Sequence, residues 1–205
     1  QIQVKLKSWY LKKDGTPVFP ESEEYPFSCK EWITFEASEI NLSPGERKPI
    51  HYIVSVPKGT LPGHYWAAFS FEPILNKEHG KEVDSMIIKG KIMSSVFVKV
   101  GNIKPTGRII DIFAHKEEGQ TEIGILIQNN SKAHFYSCGK LEIMNEQDKK
   151  IMEQELYGEL ILPESERHVK VDLEEDLASG KYLVKCEIEL QSRKTLKFQK
   201  KITIE

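Results

Sequence analysis

The sequence predicts an all-β protein, because short runs rich in Val, Ile, Phe and Tyr alternate with polar residues between clusters of Pro, Gly, Asn and Asp. The period of two is plain at Tyr65, Ala67 and Phe69. Two short stretches, residues 146–156 and 173–178, could instead be helical, and the second is better interpreted as a turn before Gly180. Because no amphipathic helices separate the strands, a sandwich or barrel is favoured over a parallel α/β sheet. Strands are expected at residues 2–11, 49–56, 64–71, 92–100, 108–114, 122–128, 140–144, 168–173, 182–190 and 195–204.

An internal repeat divides the chain into two similar halves. Each copy has a turn with Pro and an acidic residue, a strand, a Gly corner and a strand that begins with Tyr: LSPGERK at 42–48 with GHY at 63–65, and LPESERH at 162–168 with GKY at 180–182. A Tyr in this position predicts a tyrosine corner, in which the hydroxyl holds the preceding loop. The chain is therefore predicted to form two tandem immunoglobulin-like β-sandwiches, residues 1–101 and 102–205, joined by a short linker at 101–107.

Alignment of the two copies predicts that the first sandwich lacks its first two strands. In the second copy two strands precede the strand at 140–144, whereas residues 1–11 of the first copy match that third strand. The match depends on Asp14 and Gly15 lying where Asp148 and Lys149 lie. Two explanations stay open. Either an upstream segment is missing from this chain, or another chain or a partner peptide fills the gap by β-augmentation, including strand exchange.

Composition and charge limit the classes of partner. The chain has 205 residues and a formal net charge of −2, so it has no basic field that would attract nucleic acid. No apolar run reaches the 18 or so residues of a membrane span. Cys186 shares the parity of the apolar face of its strand, whereas Cys138 has the opposite parity to Leu141, so these two thiols are not expected to form a disulfide unless Gly139 marks a bulge.

Residues 4–71 resemble the bacterial PapD-like superfamily in its wide sense. The likeness is carried by LKSWYL at 6–11, DG at 14–15, SCKEWI at 28–33, LSPGE at 42–46, VSVP at 54–57 and PGHYWAA at 62–68, with IQNNS at 127–131 and LP at 162–163 in the second half. That group contains periplasmic pilus chaperones and two-domain envelope proteins that bind WxL-type surface proteins. The resemblance implies an extracytoplasmic protein, at the cell surface or in the periplasm, whose signal peptide has been removed; the chain begins at Gln1 without an initiator Met.

Two departures keep the family mechanism from being transferred. Pilus chaperones hold the carboxylate of a client with an Arg on the first strand and a Lys on the last strand of domain one. Here the first strand is absent, and Ser95 stands near the expected Lys, with Lys91 and Lys99 out of register. The Gly-rich strand usual in the WxL-binding group is also missing at 65–68.

No catalytic constellation occurs in the sequence. The six histidines form no HExxH or other ligand spacing, and no GxSxG, GxGxxG or P-loop is present. We therefore expect a protein that is not an enzyme, with no catalytic residues, no cofactor and no metal site.

Two surfaces are candidate partner sites. Alternation buries Tyr65, Ala67, Phe69 and Phe71 and leaves Trp66 on the opposite face, where it is either covered or exposed as an anchor. The strand predicted for this surface, residues 86–100, could either belong to the core or contact a partner strand through Ile88, Ile92, Val96, Val98 and Val100.

The sequence therefore favours a non-catalytic, extracytoplasmic binding or scaffolding protein of the bacterial cell envelope, adhesin-like or part of surface assembly, whose partner is a protein or a cell-wall polymer. One alternative is a periplasmic pilus-type chaperone that caps client subunits by strand donation. Another is an accessory carbohydrate-binding module that uses Trp66.

Overall fold

The computed structural model describes residues 1–20, 25–74, 90–117, 120–173 and 175–204. Its described residues form strands, turns and one 3₁₀ turn at Lys30–Trp32, with no α-helix among them, so the all-β prediction is confirmed. The strands are β1 Ile2–Lys7, β2 Tyr10–Leu11, β3 Pro17–Val18, β4 Ile33–Phe35, β5 Glu39–Ile40, β6 Tyr52–Val54, β7 Gly63–Pro73, β8 Ile92–Val100, β9 Gly107–Glu117, β10 Gln120–Asn129, β11 Phe135–Tyr136, β12 Gly139–Met144, β13 Lys150–Leu156, β14 Leu160–Ile161, β15 Glu166–Asp172, β16 Gly180–Glu189 and β17 Thr195–Ile204.

The alternative of a helix at 146–156 is wrong. This stretch contains β13, which pairs antiparallel with β12 along its length. Its side chains alternate, because Gln154 and Leu156 are buried whereas Ile151 and Glu153 are exposed. The sandwich uses this strand to extend a sheet, and that pairing outweighs the helix preference of the local sequence.

Contacts within the chain divide it into two compact units. The first unit contains Gln1–Trp9 and Val18–Val100, and the second contains Tyr10–Pro17 and Gly101–Glu205. The short segment Tyr10–Pro17 falls in the second unit because the His168 N–H donates to the Lys13 carbonyl (2.7 Å) and Lys13 forms an ion pair with Glu166.

The second unit has two sheets with a closed core between them. One sheet has the strand order β15-β10-β9, and the other has β13-β12-β16-β17. The apolar residues of both sheets form one cluster, in which Ile123, Ile125 and Ile127 of β10 are fully buried with Val184 and Ile188 of β16. The long strands of both sheets therefore contribute buried residues to one shared core.

The first unit has one complete sheet and a much smaller cover. The sheet order is β5-β1-β7-β8, and the short pair β4-β6 lies over it, with Phe35 of β4 and Tyr52 of β6 both in contact with the Phe69 ring of β7. Its fully packed core contains Val4, Cys29, Ile33, Ile40, Ala67 and Phe69, and many apolar neighbours are only partly buried.

The two units use the same strand order in their larger sheets. β5-β1-β7-β8 of the first corresponds to β13-β12-β16-β17 of the second. In both units a tyrosine corner is present: Tyr65 donates to the Leu61 carbonyl (2.9 Å) and Tyr182 donates to the Ala178 carbonyl (2.8 Å), each four residues earlier. The predicted tyrosine corners are therefore confirmed, and they fix the alignment of the two copies. The immunoglobulin-like character of either unit stays a prediction.

The turns of the two copies agree, with one correction to the alignment. Left-handed backbone follows Pro44 at Gly45 (φ +79°) and follows Pro163 at Glu164 (φ +53°).

In the loops after β2 and β12, the left-handed residues are Gly15 (φ +88°) and Asp148 (φ +56°), each with its N–H bonded to the carbonyl three residues earlier. Gly15 therefore matches Asp148, one position away from the alignment expected from sequence.

The cysteines lie where strand parity places them. Cys186 is buried (1% exposed) on the inner face of β16, whereas Cys138 is exposed, and the three thiols are free. Gly139 is in regular register with Ile188 and Leu156, so it marks no bulge. In the part of the chain that the structure describes, no helix is long and apolar enough to cross a membrane.

Candidate functional site: the partly open face of the first unit

The inner face of the first sheet is formed by alternate residues of β7 and β8. Register places Val98 opposite Tyr65, Val96 opposite Ala67 and Ile92 opposite Phe71. Directly opposite residues of an antiparallel pair point to the same side of the sheet, so the predicted residues Ile92, Val96, Val98 and Val100 share one apolar face. We call this face, with β6 at its side, the open face. The predicted residue Ile88 lies outside the described residues.

Exposure shows how incomplete the cover of the open face is. Ile92 is 69% exposed, and Val96, Val98 and Val100 are partly exposed. In the second unit, Ile202 and Ile204 occupy the positions of Val98 and Val100 relative to the tyrosine corner, and they are 7% and 4% exposed. The difference lies in the cover, because β9 runs along β17 and nothing similar lies along β8 among the described residues.

β6 shows the same difference at the side of the open face. Val54 lies 11 residues before Tyr65, and Val171 lies 11 residues before Tyr182, so Tyr52 and Val54 correspond to Val169 and Val171. Val169 and Val171 are buried beside β10, whereas Tyr52 is 46% exposed and Val54 is partly exposed. β6 pairs with β4 on one edge and has no strand on its other edge in the described ranges.

The backbone of β6 has hydrogen-bonding groups directed to that second edge. The Ser55 N–H donates to the Trp32 carbonyl (2.7 Å) and the Glu36 N–H donates to the His51 carbonyl (3.4 Å), so His51, Ile53 and Ser55 are the β6 positions that face β4. Alternation then directs the backbone groups of Tyr52 and Val54 away from β4. An antiparallel edge of this kind is a template for another strand.

Trp66 lies on the opposite face and is fully buried. Its ring stacks on Phe27 at 5.4 Å, and its Nε1 donates to the Trp9 carbonyl (2.7 Å). The segment around Phe27 continues the sheet beside β7, because the Trp66 N–H donates to the Phe27 carbonyl (2.9 Å). Residues of its own unit therefore cover Trp66, and an exposed partner contact at this position does not fit the structure. The Trp9 Nε1 is buried without an acceptor among the described residues.

A charged pair lies at the end of β7 near Ile92. The Glu72 carboxylate accepts from Lys91 (2.8 Å) and from the Ser70 hydroxyl (2.8 Å). These hydrogen bonds lower the pKa of Glu72 from its ordinary 4.5 to about 2, and the hydrogen bond from Lys91 is the larger cause.

The described residues contain no group of three His, Cys, Asp or Glu side chains placed to hold a metal ion. Burial raises the pKa of Cys29 to about 11 and that of Cys186 to about 12, which leaves both thiols protonated and unreactive at neutral pH.

No protein-family model, curated protein or solved structure matches the chain.

Sequence reasoning identified the β8 side of the open face and missed the β6 side. Tyr52 and Val54 belong to a strand of only three residues, in which periodicity is weak. Their role was available from the repeat, because the alignment through Tyr65 and Tyr182 matches them with Val169 and Val171.

Proposed function

We propose that this chain is a non-catalytic binding or scaffolding protein of the bacterial cell envelope, and that the partner, a protein or a cell-wall polymer, binds at the open face. The observation that carries the proposal is the incomplete cover of the open face, on which Ile92 and Tyr52 are exposed and the valines of β8 are partly exposed. A soluble protein that leaves a contiguous apolar surface uncovered commonly uses it for an interaction.

Two features support the proposal. On the open face the large apolar side chains of Tyr52 (46%) and Ile92 (69%) are exposed. The resemblance of residues 4–71 to PapD-like proteins supports the extracytoplasmic location and the choice of a surface-assembly role over a cytoplasmic one.

The experiment is retention of envelope components on the immobilised chain. Membrane and cell-wall fractions from bacteria are passed over the chain and over an unrelated β-sandwich protein of similar charge. We expect one or a few proteins or wall polymers to be enriched on the chain and released by soluble chain as competitor. Equal retention on both resins, or no retention, contradicts the proposal.

A second candidate is the pilus-type chaperone, which one observation favours. β8 pairs only with β7 in the described part of the chain, so its other edge is available to donate to a client subunit. This function predicts one-to-one complexes with client subunits, which Val98→Glu should abolish and which Ile151→Glu, an exposed position in the second unit, should leave unchanged. Undiminished client binding by a folded Val98→Glu variant contradicts it.

A further inference from the structure

We propose that the open face accepts a β-strand from a partner protein of different sequence, which adds antiparallel to the free edge of β6 and packs over the inner face of the sheet that contains β7 and β8. The inference rests on the proposed binding function and names the class of partner. The partner is an extended segment with aliphatic or β-branched residues at alternate positions. In this interaction the chain receives a strand, whereas the chaperone alternative requires it to donate one.

The second unit shows what covers this position. There, β10 lies beside β15, with Ile123 opposite Val171 and Ile125 opposite Val169. Because Val54 and Tyr52 correspond to Val171 and Val169, a strand beside β6 would place one apolar residue opposite each. The chain itself therefore provides, in its other half, the geometry and the side-chain chemistry of the occupant.

The backbone is arranged for the same occupant. In the second unit the Asn129 N–H donates to the Ser165 carbonyl (2.9 Å), so alternation makes Val169 and Val171 the hydrogen-bonded partners of Ile125 and Ile123. The corresponding residues Tyr52 and Val54 are those whose backbone groups face away from β4. The added strand and β6 would thus form the same hydrogen-bonded ladder that β10 forms with β15.

The same strand would add to the cover of the open face. In the second unit β9, the neighbour of β10, runs along β17, where Ile202 and Ile204 are almost fully buried, and Val98 and Val100 are the matching residues that remain partly exposed. A strand with charged residues at its inward positions would bury those charges unpaired against the apolar open face, so such segments are excluded as partners.

The test uses a fluorescent peptide with the sequence of β10, QTEIGILIQN, extended by terminal lysines for solubility, and the full chain. Fluorescence anisotropy should show saturable binding with a dissociation constant on the order of micromolar. A control peptide with Ile123→Ser and Ile125→Ser should bind at least about tenfold more weakly. In the chain, Ile92→Glu should weaken binding by about tenfold and the isosteric Val98→Thr by about threefold, whereas the matched surface change Ile151→Glu should have no effect.

The outcomes separate the inference from the proposed function. No anisotropy change up to about 1 mM chain, or equal binding of both peptides, overturns strand acceptance. Self-association of the chain that Ile92→Glu abolishes assigns the open face to a second copy and also overturns the inference as stated. Envelope components retained equally by the chain and by Ile92→Glu leave the binding function standing without this site. Peptide binding without any envelope ligand leaves strand acceptance standing without that function.

Discussion

Trp66 joins three segments of the first unit through one side chain. Its indole stacks on Phe27, touches Trp9 and Tyr25 edge-on or at a tilt, and donates to the Trp9 carbonyl. Alternation in the sequence predicts that Trp66 lies on the outer face of the sheet, and the structure confirms this position. The residues that cover it lie in segments without periodicity, so the pattern alone gave no sign of whether the outer face was closed.

The first prediction concerns the stability that Trp66 provides. Trp66→Phe removes the hydrogen bond to the Trp9 carbonyl and part of a fully buried ring, so we expect the free energy of unfolding to fall by about 1–3 kcal/mol in urea denaturation. Tyr157→Ala, at a residue that is 80% exposed, should change it by less than about 0.5 kcal/mol. A loss at Trp66 no larger than at Tyr157 would mean that the aromatic cluster is not formed in solution.

The second prediction concerns the pH dependence at Glu72. A carboxyl whose pKa is lowered on folding stabilises the fold above its ordinary pKa of 4.5, and this contribution is lost as the pH falls toward about 2. NMR titration of the side-chain carboxyl should give a midpoint near pH 2. Lys91→Met should raise the pKa toward its ordinary value, and Lys5→Met should raise it less, because Lys5 makes no hydrogen bond to Glu72 and acts only through its charge. A midpoint of about 4 in the unaltered chain would refute the hydrogen-bonded geometry.

At the scale of elements, long amphipathic strands were predictable and short or atypical ones were not. β8 and β17 have the bounds that period two predicts, residues 92–100 and 195–204. β13 was open to interpretation as a helix because Glu, Gln, Lys, Met and Leu favour helices, and its pairing with β12 decided otherwise. Strands of two or three residues, such as β5 and β6, are too short for a periodic signal, and they are the elements that form the incomplete cover.

The third prediction tests the close strand spacing at β12. A Cβ on Gly139 would overlap the Glu187 carbonyl oxygen, a backbone atom of the paired strand β16 that cannot move alone. We therefore expect Gly139→Ala to lower the free energy of unfolding by about 2 kcal/mol or more. Gly90→Ala is the control, since no atom of the described residues lies within 4 Å of its Cβ position, and it should change stability by less than about 0.5 kcal/mol. Equal effects of the two changes would contradict the register of β12 and β16.

For the molecule as a whole, the repeat was the most informative part of the sequence. It predicted the tyrosine corners at Tyr65 and Tyr182, which the structure confirms, and it predicted a first half with fewer strands than the second. In the described residues the first unit has the four-stranded sheet β5-β1-β7-β8, and the two short strands β4 and β6 cover it. The repeat indicates what kind of strand would fit beside β6, whereas sequence periodicity holds no information about the identity of a partner.

Amide hydrogen exchange of the isolated chain, followed by NMR, tests most directly whether the cover ends at β6. The N–H groups of Tyr52 and Val54 should exchange rapidly, at least about a hundredfold faster than that of Ile53, which faces β4, and faster than those of Val169 and Val171 beside β10. Addition of the β10 peptide should slow exchange at Tyr52 and Val54 alone among these five. Protection of Tyr52 and Val54 in the free chain as strong as that of Val169 and Val171 would show that the edge is already paired, and would contradict the open face.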